Sequence, residues 1–135
     1  MSFSTWSEYG YGFPLFNDKN FKNIKQFIID NNDGFYDIEE LNKAKDQDGL
    51  ETVINDNISI VIADMINEIE DMGIFCGYSA SEESEEMIGI TPIYSWSAKP
   101  NDIITRDKAD ELLSKYAQKL GITEKADFFE VKYCG

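Results

Sequence analysis

The sequence lacks histidine entirely and contains only two cysteines and one arginine in 135 residues. Without histidine, it has neither the commonest general base nor the commonest transition-metal ligand. Cys76 and Cys134 are too few for a disulfide scaffold or for a four-ligand zinc site. We therefore expect two reduced thiols in a cytoplasmic protein, with no cofactor and no enzymatic activity.

Long apolar runs are also missing. The longest apolar stretch, Ile58 to Met72, is interrupted by four acidic residues and one asparagine. It is too short and too charged to cross a bilayer. Residues 1–8 contain no basic region and no apolar core, so we expect no secretory signal. An acidic chain is repelled by anionic membrane surfaces, and we expect no membrane partner.

Phosphate-binding and hydrolytic motifs are not apparent either. Gly10 and Gly12 are followed by Phe13 and Pro14 rather than by a third glycine opening a helix, so they do not form a phosphate-binding loop. Paired carboxylates could hydrolyse a glycoside, but among 26 acidic residues a suitable pair is expected by chance. A carboxylate-based enzyme is therefore the weaker interpretation.

What the sequence does contain is enough apolar material to fold. It is 42% hydrophobic and 13% aromatic, despite a formal net charge of −14. A chain of this length fits one domain and buries a core without disulfides. We expect a single α+β domain over residues 1–135.

Hydrophobic periodicity gives the order of elements. Residues 3–13 and Phe128–Cys134 alternate with period two, and Ile74–Ser79 and Met87–Ser97 are typical of the two strands of a hairpin, which indicates four strands. Pro92 predicts an edge or a bulge in the third strand. Helical spacing predicts four helices, at about Asp18–Asp30, Asp37–Lys45, Asn57–Met72 and Arg106–Leu120.

The turns between these elements are equally visible. Asp46–Gly49, Ala80–Glu86 and Pro100–Asp102 are typical turn sequences, and Gly73 and Gly121 stand where helix-ending glycines belong. The resulting order is β-α-α-α-β-β-α-β. It predicts a four-stranded mixed or antiparallel sheet with about four helices packed mainly on one face.

One acidic turn imitates a calcium loop. Asp30, Asp33 and Asp37 lie between two helices, but placing Gly34 at the sixth loop position puts Ile29 at the first. The stretch is better interpreted as a helix stop followed by a capped helix start. A divalent-cation-binding module using this turn remains the alternative function.

The negative charge is concentrated in the middle of the chain. Between Asp30 and Glu86 there are seventeen acidic residues and only two basic ones, Lys43 and Lys45, which gives a net charge of −15. The remaining residues sum to +1. An acidic surface also keeps a small protein soluble, but solubility requires far less charge than this.

The helix at Asn57–Met72 shows how these charges could be arranged. Asp64, Glu68 and Asp71 recur at i, i+4 and i+7 opposite the apolar stripe, so they line one exposed face. No lysine is spaced to neutralise them, and like charges at this spacing destabilise a helix. We predict a partner-binding surface formed by Asp64, Glu68, Asp71, Glu82, Glu83, Glu85 and Glu86.

In size, charge and missing catalytic groups, the chain resembles small acidic phage proteins that inhibit nucleases by imitating DNA, and acidic immunity proteins of nuclease toxins. No residue can be matched to either group. The resemblance implies a protein that inhibits or sequesters a basic, nucleic-acid-handling protein without binding nucleic acid itself. A structural protein of a phage or mobile element is a further alternative, and the oligomeric state is left open.

Overall fold

The computed structural model describes residues 5–79, 86–91 and 104–134. Within these residues the four strands form one antiparallel sheet in the order β2-β3-β1-β4. The strands are β1 Thr5–Pro14, β2 Phe75–Ser79, β3 Glu86–Ile90 and β4 Asp127–Cys134. The α+β class and the antiparallel sheet are as predicted. Of the turn expected at Ala80–Glu86, the last residue belongs to β3, and residues 80–85 lie outside the described residues, as does the turn expected at 100–102.

Five helices accompany the sheet in the described part of the chain. They are α1 Phe21–Asp30, α2 Ile38–Lys43, α3 Gln47–Ile54, α4 Ile58–Glu70 and α5 Arg106–Leu120. Four of them correspond to the predicted helices. The fifth, α3, begins where we predicted only a turn.

The turn prediction at Asp46–Gly49 was wrong because the same residues start a helix. The Asp46 carboxylate accepts a hydrogen bond from the Gly49 N–H at 2.8 Å and so caps α3. Leu50 and Ile54, one turn apart, are buried and hold the short helix against the core. An aspartate followed by a glycine favours a turn locally, but burial of this pair decides the structure.

Helix ends agree with the sequence more closely elsewhere. The Thr105 hydroxyl accepts from the Lys108 N–H at 3.2 Å, and Gly121 ends α5 in the left-handed region at φ 69°.

Helix α4 ends earlier than expected. Asp71, at φ 53°, takes the left-handed position that we assigned to Gly73. Aspartate tolerates this conformation better than most residues with a side chain.

The main core lies between the helices and one face of the sheet. All five helices contribute buried side chains to it, and the strands contribute Phe13, Phe75 and Ile88. Burying each large aliphatic side chain stabilises the fold by about 1.5–3 kcal/mol. The opposite face carries a second, smaller cluster of Tyr78 and Val131, with the free thiol Cys76 packed against it. The helices therefore pack mainly on one face, as predicted.

Strand β3 is not an edge strand over the residues described. It pairs with β2 on one side and with β1 on the other, and Gly89 stands opposite both Cys76 and Gly12. The edge-strand alternative drawn from Pro92 was therefore wrong for Glu86–Ile90, whereas the alternative of a bulge at Pro92 stays a prediction. Pro92 itself lies outside the described residues.

Helix α4 packs directly on β2 at Gly77. A Cβ atom at Gly77 would lie 2.3 Å from the Ser59 carbonyl carbon and 2.4 Å from the Ile60 nitrogen. Both are backbone atoms, which cannot move aside as a flexible side chain can. Only glycine therefore allows the helix to approach the strand this closely.

We expect Gly77→Ala to reduce the free energy of unfolding by about 3 kcal/mol, because the added methyl group overpacks a rigid backbone contact. Chemical denaturation measures the change. Gly49→Ala is the matched control: its new Cβ meets first a side-chain oxygen, at 3.1 Å. A Gly77→Ala protein as stable as the control would contradict this account of the α4–β2 contact.

None of the helices in the described ranges is both long enough and apolar enough to span a membrane.

Candidate functional site

Two carboxylates of the predicted row, Asp64 and Glu68, lie on the outward side of α4, and the third, Asp71, is the residue that ends the helix. Asp64, Glu68 and Asp71 are all exposed. On the same helix Ile58, Ile62 and Ile66 are fully buried and fix its orientation. At 1.5 Å per residue, the row extends over about 10 Å.

One residue of the row, Asp64, interacts electrostatically with the turn that follows α1. Burial raises the pKa of the Tyr36 hydroxyl, and the nearby charges of Asp56 and Asp64 raise it further. Asp56 and Asp64 therefore lie near the same tyrosine, although one precedes α4 and the other is in its middle. Asp33 and Asp37, on the same turn as Tyr36, are also exposed. We use the name acidic surface for six exposed carboxylates together: Asp33, Asp37, Asp56, Asp64, Glu68 and Asp71.

Most acidic residues of the central segment are accessible. Of the fourteen that the structure describes between residues 30 and 86, eleven are exposed, two are half-buried and one is buried. Within the described residues, neither Asp64 nor Glu68 forms an ion pair. Their negative charge is therefore available to a partner.

Lys25 and Lys43 are engaged in contacts outside this surface. The Lys25 ammonium group donates to the carbonyl oxygens of Asn42 and Ala44 at 2.9 and 3.0 Å, beside the C-terminal end of α2. A cation there is stabilised by the helix dipole. Lys43 pairs with Glu40 at 3.5 Å.

Glu70 is the member of α4 that is neutralised. Its carboxylate accepts a 2.8 Å hydrogen bond from the Lys115 ammonium group and another from the Tyr116 hydroxyl. The hydrogen bond from Lys115, and next that from Tyr116, lower the pKa of Glu70. Burial, and then the bond to Glu70, raise the pKa of Tyr116. The side of α4 that faces α5 is thus paired, while the side that carries Asp64 is open.

We expect Glu70→Gln to reduce the free energy of unfolding at pH 7 by about 1 kcal/mol, since the Glu70 carboxyl group is only 17% exposed. A carboxylate whose pKa is lowered in the folded protein contributes stability at pH values above its ordinary pKa of 4.5. This contribution is lost as the pH falls through the pKa of the folded state. The difference between native protein and variant should therefore shrink towards pH 3. Denaturation at pH 3, 5 and 7 measures it.

Glu111→Gln serves as the control for this pair, because the Glu111 side chain is 72% exposed and its 3.5 Å pair with Lys108 is a surface contact. Equal effects of the two variants at pH 7 would contradict the role given to Glu70.

Glu86 is not part of the exposed surface, contrary to its place in our prediction. It is only 3% exposed, and its carboxylate accepts hydrogen bonds from the N–H and hydroxyl groups of Ser59, both at 3.0 Å. Ser59 lies in the first turn of α4, whose N-cap residue Asn57 makes no side-chain cap. The carboxylate of β3 thus caps a helix distant in sequence.

The environment of Glu86 disfavours its charge. Burial is the largest effect and raises the pKa of Glu86, and nearby Glu51 raises it too, whereas the Ser59 donors oppose the shift. The Gln47 amide donates to both carboxylates, at 3.2 Å to Glu86 and 3.3 Å to Glu51. Because the pKa of Glu86 is raised in the folded protein, its contribution to stability is complete below the ordinary pKa of 4.5. The contribution is lost as the pH rises through the pKa of the folded state.

We expect Glu86→Gln to lose less stability than the native protein between pH 4.5 and pH 8, because a neutral amide still accepts from Ser59 but cannot ionise. Glu86→Ala should be less stable at every pH by about 1 kcal/mol, since Ser59 loses its acceptor. Urea denaturation across this range measures both. A steeper loss of stability with pH in Glu86→Gln would contradict the assignment.

Glu82, Glu83 and Glu85, which we also predicted to bind the partner, lie outside the described residues. Of the predicted set, Asp64, Glu68 and Asp71 are exposed along α4 and at its end, and Glu86 lies in the interior. The fold also places Asp56 and Asp64 where the charges of both act on Tyr36, a relation that no sequence spacing indicates.

The acidic turn after α1 consists of a helix end and a helix start. Asp30 is the last residue of α1, and its carboxylate accepts from the Gln26 amide at 2.7 Å. Asp37 caps α2 by accepting from the Glu39 N–H at 2.9 Å. Among the described residues, no group of three or more carboxylate or cysteine ligands could hold a metal ion. The structure does not favour the cation-binding alternative.

A groove of about 510 Å³ lies between β1, α5 and the segment that follows α5. On its wall the Tyr11 hydroxyl donates to the Asp110 carboxylate at 2.6 Å, and this bond raises the pKa of Tyr11. Arg106 lies over the rings of Tyr11 and Phe128, at 5.5 and 5.8 Å from their centres. Asp110 and Arg106 therefore already have partners within the protein, so we do not place the functional site here.

Comparison of the chain with protein-family models, with curated proteins and with solved structures found no match. The fold of the described residues is that of an α+β protein with a four-stranded antiparallel sheet, and helix α4 carries exposed acidic residues. Its function has to be argued from the charge, exposure and partners of its own residues.

Proposed function

We propose that this protein is an acidic, non-enzymatic binding module of the cytoplasm that inhibits or sequesters a basic, nucleic-acid-handling protein. The observation that carries the proposal is the row of exposed carboxylates on α4, of which Asp64 and Glu68 have no ion pair in the described structure. The phage or bacterial proteins that imitate DNA are the type that it resembles.

Spacing supports the imitation of nucleic acid. Asp64 and Glu68 are one helical turn apart, and Asp71 follows one turn later, so the row covers about 10 Å. DNA carries one phosphate per 3.4 Å of axis on each strand. A groove built to hold four phosphates of one strand spans about 10 Å, which is the length that this face of α4 can occupy.

Energetics supports a role beyond solubility. Each like-charged pair at i and i+4 destabilises a helix by about 0.2–0.5 kcal/mol, and lysines interspersed on this face would remove that penalty. Concentrated negative charge accelerates the encounter with a basic partner and repels nucleic acid itself. The sequence retains an arrangement that is unfavourable for the isolated protein and favourable for such a complex.

We expect the triple variant Asp64→Lys, Glu68→Lys and Asp71→Lys to lose capture of basic, nucleic-acid-binding proteins from bacterial lysate, because it reverses the row while the buried side of α4 is unchanged. Affinity capture at 50 and 500 mM salt, with the captured proteins identified by mass spectrometry, measures the loss. High salt should weaken capture by the native protein as well.

The matched control is Asp18→Lys, Glu111→Lys and Glu124→Lys, three exposed positions outside the central segment with the same change in net charge. This control should retain most of the captured proteins. Equal loss in both triple variants would attribute binding to net charge alone, and capture independent of salt would contradict an electrostatic interface.

A further inference from the structure

The turn between α1 and α2 exposes two large apolar side chains within four residues. Phe35 is 81% exposed and Ile38 is 50% exposed. Single exposed apolar residues are common on protein surfaces, but an almost fully exposed phenylalanine next to a second apolar residue is a candidate contact site. Neither residue belongs to the carboxylate row discussed above.

The backbone that carries Phe35 is fixed from both sides. The Asn32 amide group, itself buried, donates to the Tyr36 carbonyl at 2.8 Å and accepts from the Tyr36 N–H at 2.9 Å. Tyr36 packs against the main core, and Gly34 adopts φ 82° to close the turn. Phe35 is therefore held outward between an anchored asparagine and an anchored tyrosine.

A rigidly presented aromatic side chain is well suited to binding. Little backbone entropy is lost when a partner covers it, because the turn is already ordered. Aromatic residues at the centre of an interface also contribute much of its binding energy. Phe35 thus offers what a surface of carboxylates lacks, namely apolar area that can be buried.

The charges around the turn identify the partner's chemistry. Asp33 and Asp37 flank Phe35 at two positions on either side, and both are exposed. The charges of Asp56 and Asp64 also act on the neighbouring Tyr36. A second copy of this chain or an anionic membrane would be repelled by these carboxylates, whereas a basic protein would be attracted.

We propose that Phe35 and Ile38 form the apolar anchor of the acidic surface and pack against an apolar area bordered by lysines or arginines on a basic partner protein. This inference rests on the proposed function and adds the contact that makes binding specific. The carboxylates increase the association rate of the partner, and burial of Phe35 decreases its dissociation rate.

Two synthetic helical peptides of equal length and equal lysine content test the anchor. One presents leucines on the face opposite its lysines, and the other presents serines. The native protein should bind the lysine–leucine peptide more tightly at 100 mM salt. Phe35→Ala should weaken that binding roughly tenfold or more, and should leave the lysine–serine peptide unaffected. Calorimetry measures the four dissociation constants.

Phe128→Ala is the matched control, since Phe128 is 69% exposed but belongs to β4 and contacts Tyr11 and Arg106 rather than the acidic surface. Equal affinity of the Phe35 and Phe128 variants for the lysine–leucine peptide would overturn the inference. The triple reversal of Asp64, Glu68 and Asp71 separates the two proposals. If it binds both peptides as the native protein does, the proposed function itself fails.

Discussion

The close contact between Gly77 of β2 and the backbone of Ser59 and Ile60 determines where α4 sits. Glu86 of the neighbouring strand β3 accepts hydrogen bonds from Ser59 at the same point, so two strands contact the first turn of the helix. The remainder of α4 is then oriented by its buried isoleucines. These contacts determine the direction in which Asp64, Glu68 and Asp71 face, because the side of a helix opposite to its packed side is exposed.

The acidic residues between Asp30 and Glu86 have three different environments. Glu86 is buried and used as a helix cap, Glu70 is paired with Lys115 and Tyr116, and Asp64 and Glu68 are left exposed. Their positions in the packed structure decide these roles, since all four are glutamates or aspartates in a segment with almost no basic residues. The acidic surface is therefore narrower than the charge of the segment suggests, and it carries apolar area at Phe35.

Local patterns were sufficient to predict most of the fold. The stripe of α4, the cap at Thr105 and the alternation in β4 each depend on neighbours within a few residues. The same patterns failed where distant residues decide. Helix α3 depends on burial of Leu50 and Ile54, β3 becomes central because β1 pairs beside it, and Glu86 is drawn inward by a serine 27 positions away. For the candidate surface, spacing along α4 gave three residues, but only the fold places Asp56 and Asp64 where the charges of both act on Tyr36.

Strand order has a consequence for the time course of folding. Strand β1 is flanked by β3 and β4, and eight consecutive residue pairs, from Thr5–Cys134 to Gly12–Asp127, join it to β4. At a synthesis rate of 5–20 residues per second, β4 follows β1 by roughly 6 to 24 seconds. When β4 is synthesised, the glycine-containing β1 still lacks its main partner, while the helices, β2 and β3 have already been made. The pairing of β1 with β4, the most distant in the described sheet, is therefore the last that synthesis permits.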